Sequence, residues 1–222
     1  QVLLKRKANG RAYLTPSLLR KEFSATGILI IANCVLATHP RGSEICLETF
    51  KTLPAEEPPS LFHTLLLNRL YVKLALHYLE QGRALLQQSA SQAQLEATYT
   101  KACRYLSSVS PQTTLYYRQA QFELGHLYYG WYDALSEAPT DEQTARPAYL
   151  TAAKQAFTKA AEAGDSDARQ WLAHHVWESI KSYFPSLSAL PTTLMATLQQ
   201  RLFTQPVPVH SLETLCADRL YE

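Results

Sequence analysis

Glycine is scarce in this chain, at 7 of 222 residues, and there is a single methionine, Met195. With 46% hydrophobic and only 18% charged residues, that scarcity excludes collagen-like and disordered classes and leaves a globular chain able to bury a core. Cys34, Cys46, Cys103 and Cys216 form no C-x-x-C pair, so they read as free thiols, which favours a reducing compartment and the cytoplasm. Gly-rich phosphate loops, nucleophile elbows and kinase-like strings are absent. A long apolar run is missing too. The longest uncharged apolar stretch, Gly27 to Ala37, has eleven residues, whereas a membrane-spanning helix needs about 20. It reads as a buried helix or strand, with a secretory signal as the alternative; Ile31-Ala32-Asn33-Cys34 fits a lipoprotein acylation site poorly because of Asn33. The chain opens on Gln1, which leads to the expectation that the native start and any targeting signal lie upstream.

Nothing in the sequence composes a reaction centre. His174 and Glu178 stand at i and i+4, a spacing able to seat two metal ligands on one helix face, but the string is not H-E-x-x-H and no third ligand is suitably spaced. His39, His63, His77, His126 and His210 are isolated. The expectation is therefore no enzyme, no catalytic residue, no metal and no cofactor, with an enzyme that lacks any recognisable motif as the minor alternative.

Charge is uneven although the net is +2. Residues 1 to 22 carry Lys5, Arg6, Lys7, Arg11, Arg20 and Lys21 against Glu22, a net of +5, leaving the rest at −3. This basic end suits anionic lipid headgroups or an acidic protein, or is a solvated leader. Nucleic acid is disfavoured, since no aromatic interleaving accompanies the charges.

Prolines mark the organisation. Thr15-Pro16 ahead of SLLRKEF predicts an N-cap with proline at the first helical position and a short helix near 16 to 23. Residues 54–60, PAEEPPS, cannot continue a helix and read as a linker between an N-terminal region, 1–53, and a helical region, 61–205. FPSLSALP, 184–191, reads as a turn before a helix from Pro191 to Phe203, and Pro206-Val207-Pro208 leads to a terminal capping helix, Ser211 to Tyr221, within 206–222.

The most patterned stretch is AQFELGHLYYG, Ala120 to Gly130, followed by YLTAAKQAFTKAAEAGDSDARQWLA, Tyr149 to Ala173. Ala120, Leu124, Leu127, Tyr128 and Trp131 recur at helical intervals, leaving Gln121, Glu123 and His126 off the stripe. Tyr149, Ala152, Ala153, Ala156, Phe157, Ala160 and Ala161 form a second, alanine-rich stripe that lets helix axes approach closely. Gly164 occupies the position of a left-handed C-cap, and Asp165 that of an N-cap for a helix through Ala168, Trp171 and Leu172. Gly125 should cost about 1 kcal/mol inside its helix, so a packing reason is expected for it.

Together these runs resemble the Sel1-like repeat, a relative of the tetratricopeptide repeat, over about residues 61 to 205 and most strongly over 119 to 173. Two weaker copies flank the central one: LALHYLEQG (Leu74 to Gly82) with YTKACRYL (Tyr99 to Leu106), about 50 residues upstream, and Ala168 with Leu172, 48 residues downstream. Cys103 falls on an alanine position of the pattern and packs as a small apolar residue.

The resemblance implies an all-α right-handed superhelix of antiparallel helix pairs, and a protein-binding adaptor or scaffold in a hetero-complex. A bacterial secretion, envelope or host-interaction assembly is implied with it, which makes the bacterial envelope the alternative location. An obligate structural subunit of a membrane-associated complex is the competing expectation. In such an array the side chains off the packing stripe make the contacts. Here those are Gln121, His126, Tyr129 and Tyr132, with His175 and Trp177 on the neighbouring helix, because tyrosine and tryptophan combine apolar area with a polar handle. Tyr128 and Trp131 are assigned to the core.

Overall fold

The computed structural model describes residues 14–54, 60–135 and 145–183, with side chains through residue 175. The described residues form eight helices and no strand, so the chain is all-α. They divide into two compact units, Gln1–Ala120 and Gln121–Glu222. The basic segment ahead of residue 14, the turn at 184–191, and the helices expected at Pro191–Phe203 and Ser211–Tyr221 lie outside the described residues.

The first unit begins with helix α1, Pro16–Glu22. Thr15, in extended conformation, accepts a hydrogen bond from the Leu18 amide at 3.3 Å, and Pro16 takes the first helical turn where its missing N–H is not needed. Helix α2, Ala25–Val35, is capped in the same way by Ser24, which accepts from the Gly27 amide. The eleven-residue apolar run is thus a helix in large part, with Ile28, Leu29, Ala32 and Val35 buried. Helix α3, Pro40–Lys51, crosses it closely enough for the buried Ser43 hydroxyl to donate to the Ala32 carbonyl at 2.8 Å.

Helix α4, Leu61–Gln87, is 27 residues long, about 40 Å at 1.5 Å per residue. Leu70 and Leu74 on it share one core with Leu19, Ile28, Ala32, Cys46 and Leu47. The stretch 54–60, expected to separate two regions, therefore joins elements that bury the same apolar surface. Only residues 55–59 of it lie outside the described residues, and Ser60 caps α4 by accepting from the His63 amide.

Helix α5, Gln92–Ser107, returns antiparallel along α4, and the Tyr99 ring covers Gly82. Asn68, 1% exposed at mid-helix, donates to the Ser110 carbonyl and to Thr113 Oγ1 and accepts from the Ser110 amide, so a buried amide is satisfied and the segment after α5 is pinned to α4. Glu44 of α3 accepts from Tyr78 OH of α4 at 2.6 Å and Tyr105 OH of α5 at 2.8 Å, joining three helices through one carboxylate. Burial first, and that carboxylate second, push both tyrosine pKa values well above the ordinary range.

Helix α6, Thr114–Ala134, carries the patterned stretch into the second unit. Helix α7, Arg146–Glu162, and helix α8, Ser166–Tyr183, complete it. Phe157 covers Gly125 while Tyr149 meets Trp131, so α7 runs antiparallel to α6. Gly164 has φ +96° and Asp165 Oδ1 accepts from the Ala168 amide at 2.9 Å, the turn expected from sequence. Ala153, Phe157, Ala160, Ala161, Ala168 and Leu172 form the core between α7 and α8, where small side chains let the helices close on the Phe157 ring. Leu124 is buried as expected, and Ala120, the last residue of the first unit, is fully buried.

Two stripe assignments change. Tyr128, expected in the core, is half-buried and packs against it, whereas Trp131, also expected there, is half-buried and meets the edge of Tyr128 and the Tyr149 ring. Gln121, expected off the stripe, is 8% exposed. It adjoins Ala120 and stands three residues from Leu124, at the margin of the stripe. A ring sits over a helical glycine in both units, Tyr99 over Gly82 and Phe157 over Gly125, 43 residues apart in the chain.

Candidate functional site: an aromatic ladder on the second unit

Four of the six residues singled out from sequence meet in one array of rings. It starts from Phe157, buried because α7 presents it to the glycine gap on α6. Its ring stacks on Trp171 of α8 with centroids 4.1 Å apart, and Trp171 stacks in turn on His175, one helical turn further, at 5.0 Å and 5°. Tyr129 of α6 stands edge-on to both, at 5.1 Å from Trp171 and 6.3 Å from His175. Tyr129 also stacks on Tyr132 at 5.6 Å.

At the other end His126 lies across Phe122 and Phe157 in near-perpendicular contacts of 4.5 and 5.1 Å. These centroid separations and edge-to-face geometries suit the ring quadrupoles and are worth about 0.5–1.5 kcal/mol per pair beyond burial.

The ladder is half-open. His126 is exposed, whereas Phe122, Tyr129, Tyr132, Trp171 and His175 are partly buried. Cations border it. Arg146, in the first turn of α7, lies over the Tyr132 ring at 4.4 Å and donates through Nε to the Tyr132 carbonyl. The His175 pKa is lowered, chiefly by burial and then by the electrostatic influence of Lys154 and His174. The side chains of Trp177 and Glu178 lie outside the described residues, and His174 is exposed.

Sequence reasoning missed Phe122 and placed Trp171 and Phe157 only as packing residues; the 131-to-149 and 129-to-171 meetings depend on how three helices cross and leave no local signal. Chemically the array offers broad π-faces, a phenol hydroxyl at each tyrosine and a cationic border. Among the described residues no group of three or more His, Cys, Asp or Glu could hold a metal ion, and no helix is long and apolar enough to cross a membrane. Cys34 and Cys46 are free thiols, and no disulfide forms among the described residues. No family model matches this chain, and neither a curated protein nor a solved structure matches it.

Proposed function

We propose that the chain is a protein-binding adaptor or scaffold whose helix pairs, α4 with α5 and α6 with α7, are successive Sel1-like or tetratricopeptide-like repeats of a right-handed superhelix. The resemblance over 119 to 173 supports it, as does the recurrence of a ring seated on a helical glycine in both pairs. The observation that carries the functional reading is the half-open aromatic ladder, since rigid rings with a polar edge are the commonest anchors of protein interfaces. Its proposed partner is another protein, in a hetero-complex, with a bacterial secretion, envelope or host-interaction assembly as the setting implied by the resemblance. A photo-crosslinking residue at position 126 should capture one partner that the same residue at the exposed position 155 of α7 does not. Equal capture from both positions would count against the ladder as the interface.

A second reading, a permanent subunit of a membrane-associated complex, is favoured by one observation. Leu61, Phe62 and Leu65 are 67%, 52% and 41% exposed on adjacent turns of α4, an apolar grouping that assembly would cover. Light scattering of the purified chain separates the two: a monodisperse monomer supports the adaptor, and self-association relieved by Phe62→Ser supports the subunit.

A further inference from the structure

The first unit holds a groove that none of this uses. It has a volume of about 460 Å³ and lies between α1 and α3. Its α3 wall is Arg41, Glu44, Ile45, Glu48, Thr49 and Thr52, positions spaced three and four apart that make up one whole face of the helix. Pro16 and Arg20, one turn apart on α1, form the opposite wall.

Both carboxylates in the groove are already engaged. Glu44 accepts from the two tyrosine hydroxyls, and Glu48 pairs with Lys51 at 3.1 Å. The two guanidinium groups are not matched in the same way. Arg20 donates through Nη2 to the neutral Thr52 hydroxyl at 2.7 Å, and Arg41 forms no ion pair among the described residues. Arg41 stands in the first turn of α3 and Arg20 is held at its far end by Thr52, eleven residues on, so the two anchoring positions, 41 and 52, are about 16 Å apart along the helix axis. Between them Ile45 is 37% exposed and supplies an apolar floor.

From this arrangement we infer that the groove is a docking site for an acidic peptide segment of a partner protein, with an apolar side chain over Ile45 and a carboxylate at each end on Arg20 and Arg41. An extended chain covers about 16 Å in roughly five residues, so acidic residues four to five positions apart around a central leucine match the two guanidinium groups. Guanidinium groups bind carboxylates in bidentate pairs, which fixes the register of such a peptide as well as its charge. The site is separate from the aromatic ladder and stands whether or not the ladder reading holds.

The test is fluorescence anisotropy with the full chain and a labelled heptapeptide, Glu-Glu-Ala-Leu-Ala-Glu-Glu, against the same peptide with glutamine for every glutamate and one with serine for leucine. The acidic leucine peptide should bind at least tenfold more tightly than either control, with affinity falling as salt is raised. The Arg20→Gln/Arg41→Gln double variant should lose at least tenfold. Both residues are exposed, so the fold should survive, and circular dichroism verifies it. Ile45→Ser is the second variant, which removes the apolar floor without adding charge beside either arginine, and it should weaken binding. Equal binding of the acidic and glutamine peptides, or binding indifferent to the double variant, overturns the proposal. Binding of anionic phosphatidylglycerol vesicles in place of the acidic peptide, lost in the double variant, also overturns it and assigns the groove to a membrane surface.

Discussion

The Phe157 ring occupies the space that a side chain at Gly125 would need: a Cβ built there lies 2.7 Å from Cδ1 and Cε1 and 2.8 Å from Cγ. Phe157 is fully buried, so its ring has nowhere to go. Gly125→Ala should therefore destabilise the second unit by about 1–3 kcal/mol through overpacking, although alanine is the better helix former. Urea unfolding followed by tryptophan fluorescence in a Trp131→Phe/Trp177→Phe background, where Trp171 stacked on Phe157 is the reporter, reads this directly. An unchanged midpoint would show that the gap closes without Phe157.

The same substitution in the first unit should behave differently. At Gly82 the obstruction is the far end of Tyr99, its Cε1, Cζ and hydroxyl, on a side chain that is only half-buried. The ring can swing aside, and the gain in helix propensity of about 1 kcal/mol offsets the movement. Gly82→Ala should fall within about 1 kcal/mol of the parent by circular dichroism in urea, and a loss as large as that of Gly125→Ala would contradict the distinction.

Asn68 sets a polar test of the first core. Asn68→Ala would leave the half-buried Ser110 amide and carbonyl, and the buried Thr113 hydroxyl, without their side-chain partner. A cost of about 1–3 kcal/mol per orphaned group is expected. Hydrogen exchange should also show the amide of Ser110 losing protection before those of α4.

Stability should fall at both ends of the pH scale. The lowered pKa of His175 means that the folded state resists its protonation. The stability this group confers is present above the unfolded value of about 6.5 and is lost as pH falls through the depressed folded value. Burial pushes the Cys46 thiol up from 9.0 to about 11, so folding opposes thiolate formation there. Its contribution is intact below pH 9.0 and declines as pH rises towards about 11, with Tyr71, Tyr78 and Tyr105 acting in the same direction above their ordinary range. Melting temperature against pH checks this, and His175→Phe should flatten the acid limb alone.

Local signals carried well. Thr15-Pro16 announced α1, Gly164-Asp165 announced the turn between α7 and α8, and the helical glycine at 125 demanded the close packing that Phe157 supplies. Their physics acts within a few residues, so one window of sequence contains it. What sequence could not show depends on distant partners. The hydrogen bonds of Glu44 reach residues 34 and 61 positions away, and the groove beside it exists only once α1 and α3 have crossed. Gln121 was misplaced because a stripe drawn at 3.6-residue intervals has an uncertain margin. His126, Tyr129, Tyr132 and His175 were selected one by one as contact residues, and only helix crossing makes them neighbours.

The clasp of Glu44 by Tyr78 and Tyr105 also dictates where this polypeptide can be cut. A fragment starting at Ser60 would contain every residue of the α4 and α5 pair, yet it would open Leu70 and Leu74 to water and leave two phenol groups without their shared acceptor. The smallest first-unit fragment able to keep its own shape thus starts before α1. Attempts to shorten the chain at its most obvious proline-rich break would yield an unstable, sticky product.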